Sequence, residues 1–452
     1  MSVCVCSSRE GRGALLSSGS ATLICTLSCT ERHEDDLRSF SLLLSGRIRT
    51  ATVMLTPAFS PEEEPVILRA GALRKQPNSQ VLIMHRKMLG RLDSLILLDG
   101  ATGHTLKQRG LSDSFADAAL ANLRRPELVT SVHREVTSLS SGPPPPSPLL
   151  LNPTHRHPSP HQTCAAPLVP PQFVAAGADV LTTNSFVITP FALARGRAPW
   201  DPPAAEGNDA MPRGEDLAPL LHAAARCANE AAASAGGDRT VLVAGCLPPL
   251  ATCYEPKEVG LEDEMVATYR TLVAELAPRV DLFLAETLCC ASEARAALQA
   301  AGAAGKPCML SLTLRDLEDA TLRGGETVGA ALGSLAQRPA ALLFNCCAPQ
   351  SVTAALRAPS AGAAARAQGV RVGGYANGFR QTTSCWLAGG EGNFECVTCA
   401  AEYDAEDTIT PAAYRAHAAT WVDSGATVVG GCCGVGPEHV RELASLKGRS
   451  CT

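Results

Sequence analysis

Short apolar runs recur along the second part of the chain, and each ends in polar or small residues. Between them lie Ala- and Leu-rich stretches with a helical period, such as Asp216–Ser234. Continuous apolar strands that alternate with helices are typical of a parallel sheet buried on both faces. The chain has eight such runs, namely Leu95–Asp99, Asp179–Asn184, Val241–Cys246, Leu282–Glu286, Cys308–Leu314, Ala341–Cys346, Val370–Asn377 and Thr427–Cys432. The pattern therefore predicts the α/β class and a (β/α)8 TIM barrel, whose active site lies where the strands end.

Several helix ends carry their own signals. Thr410 and Pro411 predict a helix N-cap and the first helical residue after it. Gly425 predicts the end of the same helix. The pair Gly436–Pro437 predicts the start of the last helix in the same way.

Two segments depart from this pattern. Residues 1–93 show no sustained period, which predicts a poorly structured N-terminal extension, either disordered or a targeting segment. Residues 138–172 hold 11 of the chain's 32 prolines, a density that excludes a helix. We expect this Pro-rich stretch to be a disordered insert within a barrel domain spanning residues 94–450. A retained non-coding segment and a lineage-specific loop are both open explanations for the insert.

Composition narrows the classes of partner. The net charge is −5, which argues against the basic surface of a nucleic-acid binder. No uncharged apolar run approaches the roughly 20 residues of a membrane span, so we expect no membrane partner. The 19 cysteines lie in a long chain that lacks a clear signal peptide, so we expect free thiols or metal ligands in a reducing compartment. A cytoplasmic protein is expected. Few acids and many Ser before residue 31 leave a plastid or mitochondrial transit peptide open, and the oligomeric state also stays open.

Cysteine pairs end two of the predicted strands. The sixth strand ends in Cys346 and Cys347, and Gly430 and Gly431 precede a second pair, Cys432–Cys433, at the end of the eighth. Both strand ends face the same mouth of a barrel, where thiolates can share a tetrahedral zinc ion. We expect the two glycines to supply the unusual backbone angles that turn both following thiols inward. Strand alternation lets only one residue of the sixth-strand pair point inward, and we favour Cys346.

The same reasoning predicts a Zn²⁺ site with three protein thiolates, Cys346, Cys432 and Cys433. A three-ligand site leaves the fourth position free for substrate, as catalytic zinc requires. Another adjacent pair, Cys289–Cys290, has no glycine kink before it, and we interpret it as incidental.

Seven segments of the chain resemble the homocysteine S-methyltransferase family over about residues 95–447, outside the insert. They are LLDGATGHTLKQRG (97–110), AGADVLTTNSF (176–186), VAGCLPP (243–249), LAET (284–287), FNC (344–346), ITPAAY (409–414) and GGCCGVGPEHV (430–440). The resemblance implies the barrel fold and zinc held by the Cys after the strand-six Asn and by both cysteines of GGCC. These are again Cys346, Cys432 and Cys433.

The resemblance also implies how the substrate is held. In that family two acids at strand ends bind the amino group of homocysteine, and the matching positions are Asp99 and Glu286. Carboxylates are suitable partners for an ammonium group at the barrel mouth. The backbone amides of Gly100 and Ala101, which follow, are expected near the substrate carboxylate, although the family often has Gly at the second position. Tyr254 either offers a π face to a cationic donor or packs as an ordinary aromatic residue.

The expected activity is transfer of a methyl group from a sulfonium donor to the thiol of homocysteine, giving methionine. No catalytic residue beyond the zinc site is predicted. The 452 residues leave no room for a cobalamin or folate module, which favours S-methylmethionine or S-adenosylmethionine as donor. Two alternatives stay open: a methyltransferase acting on selenocysteine or another thiol or selenol, and a non-catalytic zinc-binding barrel. The acid pair argues against the second alternative.

Overall fold

The computed structural model divides the chain into two compact units, residues 1–80 and 81–452. It describes residues 52–55, 66–69, 95–111, 115–134, 173–195, 217–236, 239–316, 318–387 and 400–448. In the first unit, β1 (Thr52–Leu55) pairs with antiparallel β2 (Val66–Arg69). The predicted insert at 138–172 and most of the predicted extension at 1–93 lie outside the described residues.

The second unit contains one sheet of eight parallel strands. These are β3 (Ile96–Leu97), β4 (Val180–Thr182), β5 (Leu242–Leu247), β6 (Leu282–Leu288), β7 (Cys308–Leu312), β8 (Ala341–Asn345), β9 (Arg371–Tyr375) and β10 (Val428–Val429). Their order in the sheet is β3-β10-β9-β8-β7-β6-β5-β4, and a parallel bridge between Leu98 and Val180 brings the two ends together. Each of the eight predicted runs overlaps one strand, so the predicted TIM barrel is confirmed.

Helices follow the strands around the outside of the barrel. They are α1 (Thr102–Gln108), α2 (Phe115–Arg124), α3 (Pro126–His133), α4 (Phe173–Ala176), α5 (Pro190–Arg195), α6 (Leu217–Ala232), α7 (Glu262–Leu276), α8 (Ala291–Ala303), α9 (Val328–Gly333), α10 (Pro349–Arg357), α11 (Gly362–Ala367), α12 (Thr383–Leu387), α13 (Pro411–Asp423) and α14 (Pro437–Ala444). Short 3-10 turns lie at Pro256–Glu258, Ala277–Arg279 and Ala400–Glu402. In the described part of the chain, no helix combines the length and apolar character needed to cross a membrane.

The predicted helix ends are present. The side-chain oxygen of Thr410 accepts a hydrogen bond from the backbone N–H of Ala413 at 3.3 Å, which caps α13. Helix α13 ends before Gly425, whose φ of 92° is the left-handed conformation that glycine tolerates. Helix α14 begins at Pro437 with Gly436 as its N-cap.

The apolar core has two layers because successive strand side chains point to opposite faces of the sheet. Ile96 and Leu98 belong to a cluster inside the barrel, built from all eight strands or their immediate ends. Leu95 and Leu97 point the other way and pack with the surrounding helices. A fully buried Leu or Ile stabilises the fold by roughly 1.5–3 kcal/mol, and the packed interior keeps the strand ends in a fixed ring. Tyr375 of β9 also belongs to the interior cluster.

Candidate active site at the mouth of the barrel

Three cysteines from two strands meet at the mouth of the barrel. Cys346 immediately follows β8, and Cys432 and Cys433 lie just beyond β10. Their sulfur atoms all lie within 4.8 Å of one another, and the Sγ atoms of Cys346 and Cys432 are 3.1 Å apart. The three residues predicted as metal ligands are therefore brought together. We call them the barrel-mouth cysteine cluster.

The backbone at both strand ends directs these thiols. Cys346 has a φ of 54°, a left-handed conformation that breaks strand alternation directly after β8. Its neighbour Cys347 is fully buried in the layer between the barrel and the helices. On the other side, the N–H of Cys432 donates to the carbonyl of Ala376 at 3.1 Å. The carbonyl of Cys433 accepts from the N–H of Gly378 at 2.7 Å, so the loop after β9 holds the pair in place.

Gly430 and Gly431, which precede the Cys432–Cys433 pair, do not have the backbone conformation that the sequence predicted. Neither Gly430 nor Gly431 has a positive φ. A Cβ atom on Gly430 would lie 2.6 Å from the Cβ of Leu98, and one on Gly431 would lie 2.1 Å from Cγ1 of Val435. The expectation of unusual backbone angles at these two positions was wrong. They are glycines because the chain passes too close to its neighbours for any side chain.

Hydrogen-bond donors surround the sulfur atoms. The Tyr254 hydroxyl donates to Cys346 Sγ at 2.9 Å, and Nδ2 of Asn345 lies 3.9 Å from Cys432 Sγ. Hydrogen bonds from Cys346 and Cys432 hold the pKa of the Cys433 thiol well below its usual range. The same interactions raise the pKa values of Cys346 and Cys432, so without metal the thiolate is concentrated on Cys433, and the other two thiols must lose their protons to bind a metal.

Uncommon backbone conformations concentrate at this site. Among the described residues, five that are not glycine have a positive φ, and three of them line the mouth cavity: Tyr254 (67°), Thr287 (61°) and Cys346 (54°). Such conformations cost about 1–3 kcal/mol each and persist only where the surroundings impose them. At Thr287 the surroundings are visible, because the Oδ1 atom of Asn345 accepts its N–H at 3.0 Å. This concentration is the physical mark of a functional site.

Asp99 lies at the end of the first barrel strand and lines the cavity. Its carboxylate accepts the backbone N–H of Thr182 at 2.8 Å and the Thr182 hydroxyl at 3.0 Å. Burial raises the pKa of Asp99 to about 8, against the opposing effect of the Thr182 hydrogen bonds. The ring Nδ1 of His133 lies 3.8 Å from the same carboxylate. Burial lowers the pKa of His133 to about 4, so the ring is neutral and offers Asp99 no counter-charge.

Glu286 lies within β6 and also lines the cavity. The thiol of Cys246 donates to its Oε1 at 3.0 Å, and the hydroxyl of Tyr375 donates to its Oε2 at 3.2 Å. Burial raises the pKa of Glu286 to about 7. The charge of Glu286 also helps to raise the pKa of Asp99, which indicates that the two acids face a common space. A bound cation would offset the free-energy cost of keeping both buried carboxylates ionised.

Gly100 lines the cavity, and a Cβ atom there would lie 2.4 Å from the carbonyl oxygen of Val435. The following amide, that of Ala101, already donates to the same carbonyl at 3.0 Å. The expectation that the Ala101 amide meets a substrate carboxylate therefore does not fit the structure. The structure places Gly100 in the wall of the cavity.

These residues surround one cavity of about 510 Å³ that opens at the C-terminal ends of the strands. Sequence reasoning missed four residues that support the predicted ones, namely Thr182, Cys246, Asn345 and Tyr375. Each lies at or near the end of a strand, inside a segment quoted above or in the predicted run at 370–377. A polar residue at a strand end, the feature that identified Asp99 and Glu286, would therefore have identified these four residues as well.

Tyr254 is not the open aromatic face that the sequence suggested. The Tyr254 hydroxyl donates to Cys346. The guanidinium of Arg323 lies over the ring, 5.0 Å from the ring centre. Arg323 is held by Asp316 at 3.2 Å, and both side chains are buried. This ion pair places a cation on one face of the ring, so that face cannot receive a cationic donor.

The donor set fits a zinc ion. Two thiolates bound to tetrahedral zinc at about 2.3 Å lie roughly 3.8 Å apart, and the three sulfurs of the cluster already lie within 4.8 Å. No fourth Cys, His, Asp or Glu joins this group among the described residues. Three thiols beside an open cavity match the arrangement of a catalytic zinc site rather than a closed structural one.

Fold and site together define a (β/α)8 barrel enzyme with thiols and buried carboxylates at its mouth. The family model for homocysteine S-methyltransferase matches residues 169–446, and the chain belongs to that family. It is therefore a methyltransferase, and the resemblance seen in the sequence is confirmed.

Solved structures support the same fold. The chain is similar to the homocysteine methyltransferase MmuM from Escherichia coli in its metallated form, with 22% identity and a TM-score of 0.51 over 80% of this chain and 99% of that one. The oxidised form of the same enzyme gives 22% identity and a TM-score of 0.52 over the same shares. No curated protein sequence matches the chain.

Proposed function

We propose that the chain transfers a methyl group from a small sulfonium donor to the thiol of homocysteine, using Zn²⁺ held by Cys346, Cys432 and Cys433. A carbon–sulfur bond forms to the acceptor while the methyl–sulfur bond of the donor breaks. The donor leaves as a neutral thioether with the electron pair, and the thiol proton is released to solvent. The observation that carries the proposal is the convergence of three thiols within 4.8 Å beside two buried carboxylates.

The thiol cluster supports the choice of a thiol acceptor. Bound zinc would supply a Lewis acid that deprotonates an incoming thiol at neutral pH and keeps it nucleophilic. Tyr254 and Asn345 direct donor groups at two of the sulfurs and so hold these in position. Partners of this kind orient metal ligands and tune their basicity.

The two buried acids support an amino-acid substrate. Asp99 and Glu286 lie in an apolar cavity wall and, within the described chain, have no Lys or Arg within ion-pairing distance. An ammonium group between them would restore the ionised form of both and fix the orientation of the acceptor. Charge-assisted hydrogen bonds of this kind contribute about 1.5–3 kcal/mol each.

The aromatic residues at the cavity support a cationic donor. Phe186 and Phe379 both line the cavity, and the ring of Phe379 is 37% exposed. An aromatic face attracts a cation by about 0.5–2 kcal/mol. Because the Tyr254 ring is occupied by Arg323, we assign the donor sulfonium to the side of the cavity where Phe379 lies.

The experiment that tests this function compares metal-free and zinc-loaded protein with homocysteine as acceptor. S-methylmethionine, S-adenosylmethionine and betaine are offered separately, and methionine is measured by mass spectrometry. We expect turnover with at least one sulfonium donor, only in the zinc-loaded protein. Turnover with betaine alone would contradict the donor assignment, and equal turnover without metal would contradict the role of zinc. A parallel series with selenocysteine tests the alternative acceptor.

A further inference from the structure

A second set of metal-ligating side chains lies where β6 passes into α8. The ligand atoms of Cys289, Cys290 and Glu293 all lie within 4.8 Å of one another. In the described chain, only this set and the barrel-mouth cysteine cluster bring three such groups together so closely. None of its members lines the mouth cavity. We call it the helix-start cluster.

Local chain geometry builds the helix-start cluster. Strand β6 ends at Leu288, and Cys290 is the N-cap of α8 with an extended backbone. Glu293, in the first turn of the helix, folds back so that its Oε2 accepts the N–H of Cys289 at 2.8 Å. The same oxygen lies 3.2 Å from Cys289 Sγ and 3.8 Å from Cys290 Sγ.

Helix capping explains only part of this arrangement. A Glu in the first turn that accepts a backbone N–H is an ordinary way to satisfy the free donors of a helix start. That role requires no particular side chain at the two preceding positions. It does not account for two thiols that converge on the same carboxylate oxygen.

The surroundings of the cluster favour a cation. The carboxylate of Glu326 is adjacent, since it accepts the N–H of Ala291. Arg295, whose charge acts on Cys290, is already paired with Glu262. Cys289 and Glu293 are buried, whereas Cys290 is half-buried and gives access from solvent.

We propose that the helix-start cluster is a second cation site, in which the two sulfurs and the Glu293 carboxylate bind a soft divalent cation such as Zn²⁺ or Cd²⁺. Thiolates select soft metals, and a carboxylate oxygen is an accepted zinc ligand. Binding replaces the thiol hydrogen bonds to Glu293 Oε2 with metal bonds and releases the thiol protons to solvent. The site does not depend on the proposed methyl transfer, because it shares no residue with the mouth cavity.

The test is a titration of the metal-free full chain with Cd²⁺, followed by thiolate-to-metal ultraviolet absorbance and by metal analysis after desalting. The wild type is compared with a Cys289→Ser and Cys290→Ser double variant. A Cys346→Ser, Cys432→Ser and Cys433→Ser triple variant isolates the other cluster. A Cys227→Ser and Cys308→Ser double variant is the matched control, because both thiols are buried outside the two clusters.

We expect the first double variant to lose one tightly bound Cd²⁺ per chain and the triple variant to retain that ion. The matched control should bind as many ions as the wild type. Equal binding by the wild type and the Cys289→Ser and Cys290→Ser variant would overturn the proposal, whatever the barrel-mouth cysteine cluster does.

A second variant keeps the proposal testable if the double variant fails to fold. Glu293→Gln retains an oxygen that can accept the N–H of Cys289 and removes only the carboxylate charge. We expect Cd²⁺ affinity at this site to fall by about tenfold or more. Unchanged affinity would exclude the carboxylate as a ligand and overturn the three-ligand assignment.

Discussion

The two thiol clusters of this barrel are assembled in opposite ways. The barrel-mouth cysteine cluster joins residues 86 positions apart, from the ends of β8 and β10, and exists only when the barrel closes. The helix-start cluster uses three residues within a five-residue stretch that runs from the end of β6 into the first turn of α8. The first contains sulfur alone and opens on a cavity, whereas the second mixes sulfur with a carboxylate and lies outside that cavity.

Their neighbours differ as well. Outside the barrel-mouth cysteine cluster itself, the side chains that hydrogen-bond to its sulfur atoms are neutral donors, the Tyr254 hydroxyl and the Asn345 amide. Beside the helix-start cluster lies a further acid, Glu326. Neutral donors moderate the charge of thiolates without competing for a metal, which suits a site that must also accept a substrate. At the helix-start cluster a carboxylate belongs to the ligand set itself and a second acid is adjacent, which favours retention of a cation.

The largest effect is expected from removing a thiol of the barrel-mouth cysteine cluster. Cys346→Ser should lower methyl transfer by more than the roughly 10–100-fold loss typical of residues behind a metal ligand. Cys347→Ser is the matched control, because that neighbouring thiol points into the helix layer. Steady-state rates and zinc content measured on both variants check this. Equal losses in both would mean that the structure misassigns the inward-facing thiol.

A smaller effect is expected from the acids at the mouth. Asp99→Asn and Glu286→Gln should each raise the KM for homocysteine by about 10–100-fold, because each removes a charge-assisted hydrogen bond worth about 1.5–3 kcal/mol. Glu293→Gln serves as control, since its carboxylate belongs to the helix-start cluster and should leave KM unchanged. A rise in KM for the control as large as for the mouth acids would break the distinction between the two regions.

Features of this site that arise from residues close together in sequence or from the barrel fold itself could be predicted, whereas individual contacts between residues distant in sequence could not. Apolar runs of strand length fixed the number and order of the barrel strands, because each run reports burial on both faces. The rule that strand ends meet at one mouth then placed Cys346 near the Cys432–Cys433 pair. Thr410 and Gly425 marked helix ends by purely local chemistry.

The rest required coordinates. The left-handed backbone of Cys346 and the close contacts at Gly430 and Gly431 arise from neighbours that are distant in sequence. The Arg323 cation on the Tyr254 ring could not be foreseen, because no period or motif links the two positions. At Cys289–Cys290 the prediction of an incidental pair overlooked Glu293, although the three lie within five residues of chain.

An effect of about tenfold is expected from the hydroxyl behind the barrel-mouth cysteine cluster. Tyr254→Phe removes the donor that lies 2.9 Å from Cys346 Sγ and keeps the ring under Arg323. Zinc affinity should fall by about tenfold, at the lower end for residues that support a metal ligand. Competition with a chromophoric chelator measures this. Cd²⁺ binding at the helix-start cluster should not change, and a parallel loss there would show that the two clusters are coupled.

The smallest effect is expected from pH. Burial holds the pKa of Asp99 at about 8 and that of Glu286 at about 7, so both acids are partly protonated in the free protein at neutral pH. An ammonium ligand binds the ionised forms and must displace those protons. Affinity for methionine, which lacks a thiol and so does not report on zinc, should therefore rise with pH between about 6 and 8, by up to about tenfold between pH 7 and pH 8. Calorimetry in buffers of different ionisation enthalpy measures both the affinity and the protons released. Asp99→Asn should flatten the upper part of this profile, whereas Glu293→Gln should leave it unchanged.

Affinity that falls as the pH rises over this range would mean that the mouth acids do not hold the amino group. Asp99 and Glu286 would then not differ in role from the carboxylate of the helix-start cluster.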